Sequence, residues 1–205
     1  MYTQLEEEKY ILSVYENLID SSEELSGNIL DIGCNDGETI SNTRALLLKY
    51  PELKCYFVEP NPYAFEKLQN LYSDSHHKLF NYAIGDIDTS TVLYCNAHHL
   101  SEADTGLLST IVESETKRWG EGEKWEHVTV EVVKYPFSEV EFDFISIDTE
   151  GMDEKILKQI DLSKTKILCI EWNSVEEVKN SIEEYCRNFG MRLIHENGIN
   201  LIFAR

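Results

Sequence analysis

Apolar segments of strand length alternate along this chain with segments of helical periodicity. Five apolar strands are predicted at 28–32, 55–59, 79–84, 142–148 and 167–172. In most of the gaps between them, apolar residues recur every three or four positions, which is typical of amphipathic helices. Such alternation predicts a mostly parallel sheet with helices on both faces, because each crossover helix must pack against the sheet. At 205 residues, we expect one α/β domain over 1–205.

The two ends of the chain add further elements. A leading amphipathic helix is predicted at 4–20, within the segment 1–26, and a final helix at 175–189. A tight turn joins the last two strands, 191–195 and 200–204, and predicts a C-terminal β-hairpin. We therefore expect about seven strands, six parallel and one antiparallel.

One long segment, 96–126, shows no clear periodicity. Short extra strands are predicted on either side of it, at 91–95 and 128–133. Irregular segments of this length are often lids or binding loops. We expect this insert to be such a lid or binding loop.

Acidic side chains dominate the composition, with 38 acidic against 18 basic residues and a formal net charge of −20. Such a surface repels phosphate backbones and anionic membranes, so we expect no nucleic-acid partner. No apolar run has the length of a membrane span, and the acidic N-terminus is unlike a signal peptide. The five cysteines form no CxxC pair and are expected as buried free thiols, which favours a cytoplasmic protein.

A glycine turn follows the first strand, with Asp31, Gly33 and Gly37 at its key positions. Together with the helix predicted at 39–49, it can hold either a pyrophosphate or a carboxylate with a ribose. A dinucleotide fingerprint beginning at Gly33 would need glycine at positions 35 and 38, where Asn35 and Glu38 stand. An NAD-dependent oxidoreductase is therefore disfavoured. The pattern D-x-G-x-x-x-G instead resembles the S-adenosylmethionine (SAM) motif of class I methyltransferases.

Glu59 ends the second strand, where a carboxylate can accept both hydroxyls of a ribose. After the third strand, backbone amides near Ala83 and the side chain of Asp86 can address an adenine ring. A plain turn explains Ala83 to Asp86 equally well.

Asp148 and Glu171 follow the fourth and fifth core strands, at the same sheet edge as the glycine turn. Such carboxylates can act as a general base toward a hydroxyl. They can instead hold a divalent cation that lowers the hydroxyl pKa. A third interpretation is that Asp148 only hydrogen-bonds the cofactor amine or a nearby loop.

Paired histidines and two tryptophans are weaker candidates. His76-His77 and His98-His99 lack the spacing of a metal site, although His99 is a candidate base for the acceptor. Trp119 and Trp125 can stack on a sugar or pack the insert.

The order of these motifs resembles the FkbM family of SAM-dependent methyltransferases. The resemblance is carried by the runs Ile29 to Gly37, Phe57 to Asn61, Asn81 to Asp86 and Phe142 to Gly151. It implies a Rossmann-like class I methyltransferase fold that uses SAM for the O-methylation of hydroxyls on sugars or polyketide-like products. The acceptor would be a small molecule or a glycan, and the insert 96–126 would shape its pocket.

Site residues follow by match of motif. Asp31, Gly33, Asn35 and Gly37 would line the methionine end of SAM, while Glu59 takes the ribose. Asp86 would lie near adenine and Asp148 would face the transferred methyl. Cys34 and Ala83 complete the expected cofactor-binding set, and Glu171 would aid Asp148.

One position departs from the family pattern. The family often has lysine two residues before the aspartate of Asp-x-Glu-Gly, where this chain has Ser146. The resemblance therefore assigns no role to Ser146. The alternative function is a SAM- or nucleotide-binding module without transferase activity.

Overall fold

Ten strands and five α-helices lie in the described part of this computed structural model, which comprises residues 2–96, 106–118 and 124–205. The strands are β1 (Asn28–Ile32), β2 (Lys54–Val58), β3 (Lys78–Phe80), β4 (Ala83–Ile84), β5 (Thr89–Cys95), β6 (Glu126–Val133), β7 (Phe144–Ile147), β8 (Ile167–Glu171), β9 (Arg192–Glu196) and β10 (Asn200–Ala204). The helices are α1 (Glu7–Asp20), α2 (Arg44–Lys49), α3 (Pro62–Leu71), α4 (Asp153–Leu157) and α5 (Glu176–Asn188). A short 3₁₀ helix spans Glu113–Lys117 within the insert.

The main sheet has seven strands in the order β3-β2-β1-β7-β8-β10-β9. Its first five strands are parallel, and β10 is antiparallel to both of its neighbours. Six strands thus run one way and one runs against them, which confirms the predicted sheet and its terminal hairpin. The strand order reverses between β1 and β7, and the carboxyl ends of strands at such a switch point form a crevice for ligands.

Two buried apolar layers enclose the sheet. Ile29 packs among residues of α1, α2 and α3, while the next residue, Leu30, packs among residues of α4 and α5. Both side chains are fully buried, because successive residues of a central strand face opposite sides of the sheet. Helices therefore cover both faces, as predicted, and none of those described has the length and apolar character of a membrane span. All five cysteines are free and buried.

The third predicted strand, 79–84, is wrong as a single element. Residues 78–80 form β3 of the main sheet, whereas Ala83 and Ile84 form β4, which pairs with β6. Between them, the side-chain amide of Asn81 donates to the backbone carbonyl of Glu59 at 2.8 Å. The chain then leaves the main sheet for a second sheet of order β4-β6-β5, which the sequence did not predict as separate.

The helix predicted at 39–49 begins only at Arg44. The carboxylate of Asp36 accepts the backbone amides of Glu38 and Thr39, and Ile40 has a φ of 53°. These local bonds satisfy the amides in a turn instead of a helix. The helix N-terminus therefore lies beyond the glycine turn, and the predicted start of the helix at 39 is wrong.

Gly33 lies where the turn after β1 approaches the end of β7. Its φ is 79°, and its amide donates to the carbonyl of Val58 at 2.9 Å. A Cβ atom at this position would lie 1.7 Å from the carbonyl oxygen of Asp148. Only glycine permits both this backbone conformation and this approach.

We predict that Gly33→Ala lowers the free energy of unfolding by about 3 kcal/mol or more, because left-handed strain and overpacking add. Denaturant unfolding measures the change. Gly190 has a φ of 74°, and a Cβ there would meet no atom within 4 Å, so Gly190→Ala isolates the conformational strain. Gly198→Ala, with neither feature, is the neutral control. A Gly33→Ala protein no less stable than Gly190→Ala would contradict the prediction.

Candidate active site

A cavity of about 840 Å³ opens at the carboxyl ends of β1, β2 and β7. The strand order reverses here, so the cavity occupies the crevice expected of the sheet topology. The predicted residues that line it are Asp31, Gly33, Cys34, Asn35, Glu59, Ala83 and Asp148.

Glu59 is buried, and backbone amides hold its carboxylate. One oxygen accepts the amide of Asn35 and the other accepts the amide of Asn61, both at 2.8 Å. Burial raises the pKa of Glu59 to about 7, although these two amides favour its ionised form. Each carboxylate oxygen can accept a second hydrogen bond, so the side chain is suited to the hydroxyls of a ribose.

Asp31 forms a second buried acidic group in the cavity. The hydroxyl of Thr43 donates to its carboxylate at 2.6 Å. Burial raises the pKa of Asp31 to about 6 against the effect of this hydrogen bond. The carboxylate lies in the cavity lining and is suited to a cationic amine, such as the one on the methionine end of SAM.

Cys34 also lines the cavity, between these two acids. Its side chain is buried, and burial with the nearby charges of Asp31 and Glu59 raises the pKa of its thiol. The side chain therefore behaves as a small apolar wall and not as a nucleophile.

Two predicted cofactor residues are not among those that line the cavity. Gly37 packs toward α3, where a Cβ would lie 2.6 Å from Leu68 and 2.9 Å from Tyr72. Asp86 is exposed to solvent beyond β4. The structure thus brings Ala83 to the cavity but not Asp86.

Several lining residues were missed in the sequence. Asn42 donates to the hydroxyl of Ser146 at 3.2 Å, and both belong to the polar floor of the cavity. Ile40 lines the cavity with a left-handed backbone that is uncommon for a β-branched residue. Only the polarity of Asn42 and Ser146 could have signalled them, because nothing in the residue type of Ile40 indicates its φ.

A second cavity, of about 1020 Å³, adjoins the first. Part of its lining comes from the insert and part from the segments after β8 and β9. The lining residues that the two cavities share are Ile40, Leu107, Asp148 and Glu150. Asp148 therefore faces both spaces.

Three carboxylates converge at this junction. One oxygen each from Asp148, Glu150 and Glu171 lies within 4.8 Å of the others. Glu150 accepts the guanidinium of Arg118 at 2.7 Å, and Glu171 accepts the amide of Asn173 at 2.9 Å. These oxygens can share protons, or they can hold a hard cation.

The protonation of this group departs from that of free carboxylates. Burial, followed by repulsion from Asp153 and Asp31, raises the pKa of Asp148 to about 7. Burial and repulsion from Asp148 also raise the pKa of Glu171. The pKa of Asp148 therefore lies near neutral pH, which suits a general base.

The histidines and tryptophans contribute less. His76 contacts the carbonyl of Leu53, and His77 accepts the amide of Cys55 at 3.1 Å, so this pair supports the fold. His98, His99 and Trp119 lie outside the described residues. Trp125 is half-buried beside the start of β6, and the lining of neither cavity includes it.

A switch-point cavity with a glycine turn, a buried acid after β2 and a six-to-one sheet defines a Rossmann-like class I methyltransferase, a class that uses SAM. The model of the methyltransferase FkbM domain matches residues 31–193. The chain belongs to this family of SAM-dependent methyltransferases.

Solved structures of methyltransferases are similar to this chain at low sequence identity. The precorrin-6y C5,15-methyltransferase from Geobacter metallireducens is 12% identical, with a TM-score of 0.45 over 94% of this chain and 85% of that one. The N-terminal domain of human METTL16 in complex with SAH is 14% identical, with a TM-score of 0.46 over 97% and 68%. A TehB-like SAM-dependent methyltransferase from Corynebacterium glutamicum is 11% identical, with a TM-score of 0.41 over 98% and 100%. No curated protein sequence matches the chain.

We predict that SAM affinity falls as the pH drops below about 7, because the ribose hydroxyls are expected to donate to the ionised form of Glu59, whose pKa burial raises to about 7. Well below the pKa, the loss approaches about tenfold per pH unit. Calorimetry across a pH series measures it. Glu59→Gln is expected to bind SAM more weakly and to flatten this dependence, while Glu38→Gln, on the exposed turn, leaves it unchanged. An equal pH dependence in Glu59→Gln would contradict the assignment.

Proposed function

We propose that this protein is an O-methyltransferase that transfers the methyl group of SAM to a hydroxyl of a sugar, a glycan or a small natural product. The observation that carries the proposal is the position of Asp148, which lines both adjoining cavities. A group at such a junction can reach a donor on one side and an acceptor on the other. Much of the catalysis of methyl transfer is the positioning of these two reactants.

The first cavity suits the cofactor. Glu59 would accept the ribose hydroxyls, Asp31 would bind the amine, and Ala83 and Ile84 would lie against the adenine side. SAM supplies an electrophilic methyl group on a sulfonium. In this assignment, Asp148 lies at the end of the cofactor cavity that opens toward the acceptor.

The second cavity suits a hydroxylated acceptor. Gln4, Asn173 and Ser174 offer amide and hydroxyl groups, and Leu108 and Ile199 offer apolar contacts. This mixture fits a sugar, whose hydroxyls need hydrogen bonds and whose ring faces are apolar. The formal net charge of −20 repels phosphate backbones, so a nucleic-acid acceptor is disfavoured.

Asp148 would act as the general base. As the acceptor oxygen bonds to the methyl carbon and the sulfur–carbon bond breaks, Asp148 takes the hydroxyl proton. Its raised pKa matches this task at neutral pH. Glu171, whose pKa burial raises well above its ordinary value, would stay protonated and donate a hydrogen bond that orients the acceptor.

A divalent cation is the competing way to activate the hydroxyl. The oxygens of Asp148, Glu150 and Glu171 are donors of the kind that Mg²⁺ takes. The ion pair of Glu150 with Arg118 already offsets part of their charge. This contact favours activation by the carboxylate alone.

We predict that Asp148→Asn lowers turnover by about 10²- to 10⁴-fold, because the amide cannot accept the hydroxyl proton. SAM affinity is expected to change much less. The measurement is the release of S-adenosylhomocysteine with a panel of methyl glycosides and phenols, beside calorimetry with SAM. Asp161→Asn, at an exposed turn, is the control. Full turnover by Asp148→Asn would exclude Asp148 as the general base. If the native protein binds SAM but shows no turnover, the result would favour the alternative function, a SAM-binding module without transferase activity.

We also predict that turnover is unchanged after treatment with EDTA and removal of the chelator. The physical reason is that Arg118 and protons compensate the three carboxylates without a cation. The same assay measures it, with Mg²⁺ or Mn²⁺ added back. Loss of turnover that added metal restores would assign the hydroxyl activation to a cation.

A further inference from the structure

Glu7 is a fully buried carboxylate that the proposed chemistry does not use. It lies in the first turn of α1, outside the segment 31–193 that the family model matches. One of its oxygens accepts the backbone amide of Leu5 at 2.8 Å. The other accepts the side-chain amides of Asn197 at 2.8 Å and Asn200 at 2.9 Å. The two ends of the chain are thus joined at one carboxylate.

These hydrogen bonds keep Glu7 charged. Burial acts to raise its pKa, but the side chain of Asn200, the backbone and the side chain of Asn197 outweigh it, and the pKa lies below its ordinary value. A buried charge is tolerated only where hydrogen bonds replace its water. Loss of these partners would leave the charge uncompensated, so the geometry of this contact is strictly specified.

Asn197 transmits this contact to the turn between β9 and β10. Its side-chain oxygen accepts the amides of Ile199 at 2.9 Å and Asn200 at 2.7 Å. Its carbonyl accepts the indole N–H of Trp172 at 3.0 Å. The side-chain amide that Glu7 binds therefore belongs to a residue that organises the whole turn.

The residues beside this contact line the second cavity. Gln4 precedes Glu7, while Gly198 and Ile199 lie between its two asparagine partners. Ser174 also lines the cavity, and its hydroxyl donates to the carbonyl of Gly198. We call Gln4, Gly198 and Ile199 the terminal wall. All three lie outside the family-matched segment.

We propose that Glu7 is a positioning residue that fixes the terminal wall, and that this wall selects the acceptor in the second cavity. The second part rests on the proposed function, whereas the first does not. Glu7 would act through Asn197 and Asn200 and would touch neither the cofactor nor the acceptor.

Hydrogen exchange with Glu7→Gln tests the first part. In Glu7→Gln one carboxylate oxygen becomes an NH₂ group, so either the amide of Leu5 or the side chains of Asn197 and Asn200 lose their acceptor. Any bonds that remain lose the strength that the charge gives them. We expect peptides that cover 197–200 to exchange on the order of tenfold faster, while affinity for S-adenosylhomocysteine stays within about twofold. Glu6→Gln removes a charge from the exposed neighbouring position and is expected to leave exchange unchanged. Asn200→Ala breaks the same contact from the other side and serves if Glu7→Gln does not fold.

Unchanged exchange at 197–200 in both Glu7→Gln and Asn200→Ala would overturn the role of Glu7. So would faster exchange spread evenly over the chain with a parallel loss of cofactor affinity, because that pattern indicates general destabilisation.

The acceptor panel tests the second part. In Gln4→Ala and Ile199→Ala, we expect the relative rates among methyl hexopyranosides to change severalfold, while KM for SAM stays constant. Identical relative rates in both variants would overturn the selection by the wall. If the native protein methylates no hydroxyl compound, the proposed function and the selection fail together, and the exchange result still decides the role of Glu7.

Discussion

The contact between the turn after β1 and the end of β7 sets the geometry on which both cavities depend. Gly33 lies against the carbonyl of Asp148 with no room for a side chain, and the amide of Asp148 donates to the carbonyl of Ile32 at 2.9 Å. The turn that lines the first cavity and the backbone of Asp148 are therefore held together by direct backbone contacts. Because the distance between donor and acceptor governs methyl transfer, this backbone contact matters as much as the side chains around it.

Burial of the acidic groups around this contact costs free energy, and hydrogen bonds to the carboxylates reduce that cost. Asp31, Glu59 and Asp148 are gathered where three parallel strands end, and burial raises the pKa of each. Backbone amides compensate Glu59 and a threonine hydroxyl compensates Asp31. Asp148 faces two open spaces, so it keeps the freedom to gain and lose a proton. Because their surroundings differ, Asp31 and Glu59 are suited to binding a ligand, whereas Asp148 is suited to proton transfer.

The sequence predicts the core strands well because each is an apolar run, buried on both faces, whose identity depends on few distant contacts. It also brings Asp31, Asn35 and Glu59 to one edge, because the topology of a parallel sheet places strand ends together. Two of the predictions that failed depend on contacts between residues far apart in the sequence. Gly37 is needed for its packing on α3, and Asn81 divides a predicted strand by binding the carbonyl of Glu59.

The start of α2 was mispredicted for a different reason, which is local. The apolar residues at 40 and 45–48 favour a helix from 39, but the carboxylate of Asp36 competes for the amides that would begin it. Ile40 then adopts a left-handed conformation and lines both cavities. A local side-chain bond thus overrides helix periodicity at the place where a turn serves the site.

The two cavities differ in which parts of the chain build them. The described residues that line the first cavity all lie within the family-matched segment 31–193. The lining of the second cavity also includes residues before and after that segment. In the proposed function, the first cavity must keep the backbone contact between Gly33 and Asp148 and the carboxylates of Glu59 and Asp148 in a fixed relation. The proposed terminal wall, held by Glu7 from outside, can differ in shape without disturbing any of these three. On this proposal, one methyl-donating core can serve different acceptors, because contacts to the acceptor can change while those to SAM stay fixed.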